Sequence, residues 1–399
     1  MAAAVALLAL APEVRAGDYR LGLENFLYRS TPSLLNRGNV FGLAPTENLM
    51  RLSASGKTTF SKATLKASAF VERQTGKTDK MDVTFREAFA EYKTEDGFLL
   101  RVGKQKTAWG SGFTWNPTAR LEPPKSPANP GTERPGIDAV RMDVSPYDWG
   151  SLTFVAGRAK TNLTDLPGSL VRAADPQWSG AFRARLLVRN TDIAITYLGG
   201  AGRGGLAGLD LGRTWGAVAL HAESALYRGS EIDATRSRDH FIRVVAGGLW
   251  SPGAHTVSFE YFFNGEGFNA SEFAGYTARL DRNLARANEP KLDASLRSIA
   301  FAAWSRDAQI PFSSNLGLRR HYASLSLSRR DLAENLTANL RLVTGLSDRG
   351  LIATPGLAYA PGAHLQMNLD LVLLFGRAEA EYKLAPIKRA VQARMTYVF

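Results

Sequence analysis

The sequence predicts an all-β protein, a transmembrane antiparallel β-barrel of about 18 strands. Two observations carry this prediction. Apolar and polar residues alternate along most of the chain, which is the period of a β-strand with one apolar and one polar face. Short connections also alternate with longer ones, as expected for strands that run up and down around a barrel. No segment approaches the roughly 20 consecutive apolar residues of a membrane-spanning helix, so a helical membrane protein is excluded.

The last strand, over residues 391–399, shows the alternation most clearly. One face carries only apolar side chains, and Gln392, Arg394 and Thr396 lie on the other face; the apolar set is Val391, Ala393, Met395, Tyr397 and Phe399. An amphipathic last strand that ends on an aromatic carboxylate resembles the assembly signal of bacterial outer-membrane β-barrels. The resemblance implies a location in the bacterial outer membrane, in contact with its lipid. It also implies that the barrel-assembly machinery is a partner that recognises the strand ending at Phe399.

Residues 1–16 are predicted to be a cleaved signal peptide, and residues 17–399 a single barrel domain. The first eleven residues include a short apolar run, and Val14 and Ala16 form a small-residue cleavage pattern. A buried N-terminal helix is the alternative for this run. The chain has no cysteine, which fits an oxidising compartment.

The strands are predicted in order from the alternation and from the turn residues between them. They cover residues 18–28, 49–60, 63–72, 81–93, 98–106, 137–145, 150–158, 179–189, 191–198, 207–213, 215–227, 240–251, 255–263, 317–328, 334–344, 351–360, 364–375 and 388–399. Every second connection is short and is assigned to the periplasmic end, because outer-membrane barrels have short periplasmic turns and long extracellular loops. Aromatic residues near the short turns are expected to form a girdle at one membrane interface: Phe60, Tyr147, Trp149, Trp215, Trp250 and Tyr359.

Two long loops are expected, at about residues 107–136 and 264–316. The second contains Phe273, Tyr276, Leu280 and Leu284 at helical spacing, which predicts a short amphipathic helix. Residues 299–304 have the composition of a strand. They are assigned to the loop because a nineteenth strand would break the alternation of connections.

The inward faces of the strands are predicted to form a hydrated interior rich in arginine. The predicted pore-lining, solute-contacting residues are Arg101, Gln105, Arg141, Arg183, Arg185, Arg243, Arg341 and Arg394. The formal net charge of +12 fits either an anionic ligand or a generally basic surface. The arginines could favour anions, or they could only neutralise nearby carboxylates. The fourth strand is ambiguous, because Glu87 shares a face with Phe85 whereas Arg86 lies on the other face.

Three segments carry a resemblance to a known class of proteins. They are Arg86-Glu-Ala-Phe-Ala-Glu-Tyr92, Leu100-Arg-Val-Gly-Lys-Gln-Lys-Thr-Ala-Trp-Gly110 and Phe113-Thr-Trp-Asn-Pro117. Together they resemble porin-like outer-membrane proteins in which a strand ends on Gly-(Lys/Arg)-Gln followed by Trp-Gly. The overall pattern is similar in architecture to alginate exporters and capsule-assembly barrels. The resemblance implies a porin-like channel.

The loop at 107–136 carries the remaining candidate site residues, Arg120, Lys125 and Arg134. It also contains six prolines, which stiffen it. A stiff basic loop could fold into the interior and narrow it, or it could cover the barrel from outside. The second long loop, with its helix, is the competing candidate for a constriction.

No catalytic residue, metal site or cofactor is predicted. The five histidines form no metal-ligand pattern, and Gly-x-Ser-x-Gly is absent. The basic residues are spread along strands, which disfavours nucleic acid as a partner. The sequence therefore predicts a non-enzymatic outer-membrane channel for polar, preferentially anionic, solutes or polymers. The alternative is a surface polysaccharide-binding or assembly barrel, or a scaffold barrel without an open pore.

Overall fold

The computed structural model describes residues 17–39, 43–75, 80–122, 125–126, 134–159, 177–200, 203–230, 232–233, 236, 238–313 and 317–399. The expected signal peptide at 1–16 lies outside these residues. Eighteen antiparallel strands form one sheet, and its first and last strands pair with each other, so the barrel is closed. The predicted fold class is confirmed.

The strands have the following bounds: β1 (Gly17–Ser30), β2 (Thr46–Phe60), β3 (Ala63–Thr75), β4 (Lys80–Lys93), β5 (Phe98–Gln105), β6 (Ile137–Tyr147), β7 (Gly150–Ala159), β8 (Gln177–Val188), β9 (Thr191–Gly200), β10 (Arg203–Trp215), β11 (Val218–Arg228), β12 (His240–Trp250), β13 (His255–Asn264), β14 (His321–Ala333), β15 (Leu336–Gly345), β16 (Gly350–Tyr359), β17 (Leu365–Phe375) and β18 (Ile387–Val398). The connection after each even-numbered strand up to β16 is short, and these connections define the short-turn end of the barrel. The opposite rim is the long-loop end.

Apolar side chains cover the outside of the barrel because each strand alternates between its two faces. Val83, Ile195, Phe259 and Leu369 are among the large apolar residues exposed there. At the short-turn end, the expected girdle aromatics are exposed, and the rings of Tyr147 and Trp149 stack with centroids 5.1 Å apart. This outer surface is apolar with an aromatic edge, as a lipid-facing barrel requires.

A β-bulge in β4 explains why its faces were ambiguous. Glu87 pairs with Ser68 and Phe85 pairs with Ala69, so Arg86 is the extra residue between them. Before the bulge Phe85 faces outward, whereas after it Glu87 faces inward. The bulge also brings the Arg86 side chain into the interior, where its guanidinium lies 4.6 Å from the centroid of the Phe70 ring.

The second long loop forms a helical cap at the long-loop end. Helix α1 (Ala270–Ala287) confirms the predicted amphipathic helix and begins with a capping box formed by Asn269 and Glu272. Helix α2 (Ala294–Ser313) packs against it, and the short helix α3 (Glu381–Leu384) comes from the β17–β18 connection. The four predicted apolar residues of α1 pack with Leu35, Ile232 and Leu384 from three other connections.

Residues 299–304 belong to the second long loop and form no strand, as predicted; they are part of α2, where Trp304 is buried in the cap. One detail of the predicted loop was wrong. The fourteenth strand begins at His321 rather than at 317, because the preceding residues close the base of the loop. There, the Phe268 backbone N–H donates to the Leu318 carbonyl at 2.7 Å. Among the described residues, no helix is long and apolar enough to cross a membrane.

Candidate functional site: the constricted interior

The segment between β5 and β6, residues 106–136, is called the constriction loop below, and its described residues 106–122, 125–126 and 134–136 fold into the barrel. Its described part lies against the inner faces of β10 to β14, and two buried glutamates hold it there. Glu260 of β13, whose side chain is 1% exposed, accepts hydrogen bonds from the backbone N–H groups of Phe113 at 2.5 Å and Thr114 at 2.7 Å. Its carboxylate also contacts Nε2 of His221 at 2.8 Å.

Glu223 of β11 is the second anchor of the constriction loop. It accepts the Thr118 backbone N–H at 2.6 Å and the Thr118 hydroxyl at 2.7 Å. It also accepts the Ser111 backbone N–H at 3.0 Å. Hydrogen bonds to an ionised carboxylate are stronger than neutral ones, especially away from water. The two glutamates therefore fix the path of the loop tip across the interior.

An aromatic contact anchors the same part of the loop. Trp115 is 1% exposed and stacks on Phe262 of β13, with ring centroids 5.2 Å apart and planes 16° apart. The ring of Tyr322 on β14 lies 6.0 Å from it. The turn also depends on Gly112, because a Cβ there would lie 1.9 Å from the Trp115 carbonyl oxygen.

The three predicted loop residues Arg120, Lys125 and Arg134 contact the loop itself or the wall beneath it. The Lys125 ammonium donates to the carbonyls of Gly112 at 2.7 Å and Phe113 at 3.1 Å. Burial lowers the pKa of Lys125, and the neighbouring Arg134 lowers it further. Arg134 forms an ion pair with Glu122 at 3.4 Å, and Arg120 lies 4.6 Å from the centroid of the Tyr227 ring. These cations stabilise the loop in its inward position.

The inner wall opposite the loop anchors carries a second set of arginines. In a closed barrel of 18 strands the strand nine positions away lies on the far side, so β11 faces β2 and β13 faces β4. A cavity of about 280 Å³ lies on this side, lined by Arg20, Arg86 and Arg394 with Glu24 as the only carboxylate among its lining residues. We call these three arginines and their surroundings the arginine wall. The other polar residues of the cavity are Ser53, Ser55, Ser68, Gln366, Asn368 and Thr396.

Arg394 faces the interior from β18 and forms an ion pair with Glu24 of β1 at 2.9 Å. The same glutamate lies 3.9 Å from Arg51, which also pairs with Glu72. Arg86 was not among the predicted site residues, because alternation alone does not show which residue of β4 is the bulge. Arg20 was also missed.

Predicted site residues of β5, β6 and β8 face the interior but are paired with carboxylates. Arg101 donates to Glu91 at 2.8 Å and Arg141 to Asp143 at 2.7 Å. Arg183 pairs with Asp210 at 2.9 Å, and Arg185 donates through Nε to Asp192 at 2.8 Å. Arg141, Arg183 and Arg185 line a chamber of about 950 Å³ that reaches the β4–β5 and β6–β7 turns. In these four places the arginines neutralise nearby carboxylates, which is the alternative that the sequence left open.

Two predicted pore-lining residues do not line open space. Gln105 is 0% exposed, and its side-chain amide donates to the Ala139 carbonyl at 2.8 Å. Arg243 is also 0% exposed and is held by Asn264 at 3.2 Å and by Glu266. Both lie on inward faces, as alternation requires, but loop residues cover them. Arg341 lies on the inward face of β15 beside Ser326 and interacts electrostatically with Asp370.

The residues that anchor the loop were the main omission from the predicted site. Glu223, Glu260, Thr118 and Asp210 were not among the predicted site residues, although the two glutamates lie on the inward faces of their strands. The nearest signal was Trp115, which lies within the segment that carried the resemblance. Among the described residues, no group of three histidine or acidic side chains could hold a metal ion.

Comparisons with known proteins relate the chain to outer-membrane barrels by fold. No protein-family model matches it, and no curated protein matches it. The outer-membrane protein OpdK of Pseudomonas aeruginosa, also solved with vanillate, superposes with a TM-score of 0.58 at 10% identity over 97% of this chain and 99% of OpdK. OprD of the same organism gives 0.56 at 11% identity over 97% of each chain. OccAB4 of Acinetobacter baumannii gives 0.59 at 9% identity over 97% of this chain and 99% of that protein. The chain therefore has the closed 18-stranded barrel fold of these proteins.

Proposed function

We propose that this protein is a porin-like channel of the bacterial outer membrane that passes small polar solutes and prefers anions. One observation carries the proposal. Glu223 and Glu260 fix the described part of the constriction loop to the wall that includes β11 and β13, and no residue of this part lines the cavity of the arginine wall on the far side. Porins use an inward loop to limit solute size and charged side chains to select among solutes.

The outer surface supports the membrane location. Its apolar side chains and the aromatic residues at the short-turn end match the belt and girdle of outer-membrane barrels. The last strand closes the barrel against β1, with Met395 and Tyr397 on the outward face. We assign the short-turn end to the periplasm and the helical cap to the outside. Recognition of the strand ending at Phe399 by the barrel-assembly machinery belongs to the same proposal.

The charge distribution supports the preference for anions in one part of the interior. Among the residues that line the cavity of the arginine wall there are three arginines and one carboxylate, whereas the lining of the 950 Å³ chamber contains the carboxylate partners of all its arginines. A lining with more guanidinium groups than carboxylates attracts an anionic solute without holding it tightly, and passage requires weak binding. Vanillate, which is present in one OpdK structure, is an example of a small organic anion of the kind proposed here. The role proposed is transport and not catalysis.

The helical cap favours a second candidate, a barrel that binds a surface polysaccharide and has no open pore. The cap joins four connections through one apolar cluster at the long-loop end. A rigid cap of this kind could close the mouth or present a binding surface.

Liposome swelling separates the two candidates. Vesicles containing the protein are diluted into iso-osmotic solutions of three solutes of similar size and different charge. Examples are sodium benzoate for the anion, a small neutral sugar, and benzylammonium chloride for the cation. The proposal expects swelling that is fastest with the anion, and an Arg86→Gln variant that loses most of this preference. Vesicles that do not swell with any solute, together with measurable binding of a polysaccharide, would favour the second candidate.

A further inference from the structure

An apolar groove of about 400 Å³ lies on the outer face of β13–β16 near the long-loop end. Its floor is formed by two small residues, Ala323 and Thr344, which are direct partners across β14 and β15. Large side chains surround this floor; Leu325 and Leu342 pair below it, and Leu351 pairs with Thr344 beside it. The groove is therefore a consequence of two small side chains within a belt of large ones.

The rim of the groove carries a cation. Arg349, in the connection between β15 and β16, lines the groove and has an exposed side chain. It has a φ of 56°, in the tight turn that ends β15. Among the described residues, no carboxylate pairs with its guanidinium, in contrast to the arginines of the chamber. The neighbouring Asp348 points the other way, toward Arg319 and the backbone of α3.

Aromatic residues continue the same rim. The Tyr261 hydroxyl and Nδ1 of His321 are 2.7 Å apart, and the His321 carbonyl accepts the Leu346 N–H at 2.9 Å. The His321 ring lies 5.4 Å from that of Phe263. Amphipathic rings of this kind are typical of the level where lipid headgroups meet the acyl chains.

We propose that this groove binds one acyl chain of an anionic, phosphate-bearing membrane lipid, with the phosphate on Arg349. The inference rests on the proposed membrane location. An apolar groove that opens toward the bilayer admits an acyl chain at no cost in polar desolvation. A guanidinium without a carboxylate partner favours a phosphate, which it binds through two parallel hydrogen bonds. A zwitterionic lipid carries an ammonium group close to its phosphate, so the anionic lipid is preferred.

Native mass spectrometry of the full barrel, released from detergent, tests the proposal. The probes are dioleoylphosphatidylglycerol and dioleoylphosphatidylcholine, which share their acyl chains. We expect one phosphatidylglycerol molecule to remain bound, and Arg349→Gln to weaken its binding by roughly tenfold, the effect of losing a charged hydrogen bond. Ala323→Phe fills the floor and should abolish retention of both lipids.

Two substitutions serve as matched controls. Arg228→Gln removes an exposed, outward-facing arginine of β11 at the long-loop end of the barrel. Ala156→Phe enlarges an exposed, outward-facing alanine on β7. Neither lies in the groove, and both should retain lipid as the parent does. Equal retention of the two lipids, or loss that is the same for Arg228→Gln as for Arg349→Gln, overturns the proposal. A dimer that Ala323→Phe dissociates also overturns it, because a second copy of the chain would then occupy the groove.

Channel conductance is measured on the same preparations. Normal conductance without specific lipid retention overturns only the lipid site. Absence of conductance in the parent and in every variant overturns the proposed channel function instead.

Discussion

Replacing Glu260 with glutamine should release the constriction loop from its wall. The carboxylate accepts the N–H groups of Phe113 and Thr114 and contacts His221, and it is almost completely buried. Glutamine offers one acceptor oxygen, and its amide group would face one of the N–H donors. One buried backbone donor therefore loses its partner, and the other loses an ionised acceptor. The combined cost is about 3 kcal/mol, which raises the fraction of released loop by roughly 150-fold.

Thiol labelling measures this fraction, because the chain contains no cysteine. A Ser111→Cys variant places a single thiol at the tip of the loop, and a membrane-impermeant methanethiosulfonate reagent reports its exposure. When opening and closing are fast, the labelling rate is proportional to the released fraction. We expect Glu260→Gln to accelerate labelling in this background and to increase the noise and mean conductance of single channels.

Glu72→Gln is the matched control. Glu72 pairs with Arg51 on the far wall, so this substitution changes the charge of the interior by the same amount without touching the loop. If both variants label at the parent rate, or at the same raised rate, Glu260 does not anchor the loop as the structure indicates.

Three further predictions concern the aromatic anchor of the loop, the arginine wall and the helical cap. Trp115→Ala should cost about 3–5 kcal/mol of stability through the cavity it leaves, seen as a lower unfolding temperature, and should enlarge the conductance; an unchanged conductance would contradict its role in the constriction. Arg394→Gln should shift ion selectivity toward cations and Glu24→Gln toward anions, measured as opposite changes in reversal potential; shifts of the same sign would refute the arginine wall as the selective element. Burial raises the pKa of Glu381 to about 7. Because the folded state then holds a proton that an exposed glutamate releases near pH 4.3, local stability of α3 should fall by on the order of 3 kcal/mol between about pH 4.3 and 7 and stay level above. Measured by hydrogen exchange in the β17–β18 connection, this pH dependence of local stability should disappear in Glu381→Gln and remain in the control Glu379→Gln. A pH dependence that persists in Glu381→Gln would contradict the raised pKa of Glu381.

The strand pattern was predictable because it depends on local chemistry. Alternation of apolar and polar residues reports the two faces of each strand, and short turns report where the chain reverses. These signals gave the closed barrel, the two rims and the helix that buries Phe273 and Tyr276. The bulge showed in the sequence only as an ambiguity in the faces of β4, and because Arg86 and Glu87 are both polar, the pattern did not show which of them was the extra residue.

The position of the constriction loop was not predictable, because its partners are distant in sequence. Thr118 meets Glu223 across 105 residues, and Thr114 meets Glu260 across 146. The sequence of a single strand indicates that a glutamate faces inward, but it does not indicate which loop will contact that glutamate. The same limit explains Arg243, which faces inward as expected yet is covered by the residues around Glu266.

The reversal potential of the parent protein in a planar bilayer shows whether the barrel is an anion-preferring channel. With a tenfold gradient of potassium chloride across the bilayer, we expect stable conductance steps and a reversal potential displaced toward the equilibrium potential of chloride. That displacement should shrink in Arg86→Gln and Arg394→Gln, which remove charges of the arginine wall. A barrel that inserts but gives no steps, or one whose reversal potential lies toward potassium in the parent, would contradict an anion-preferring channel.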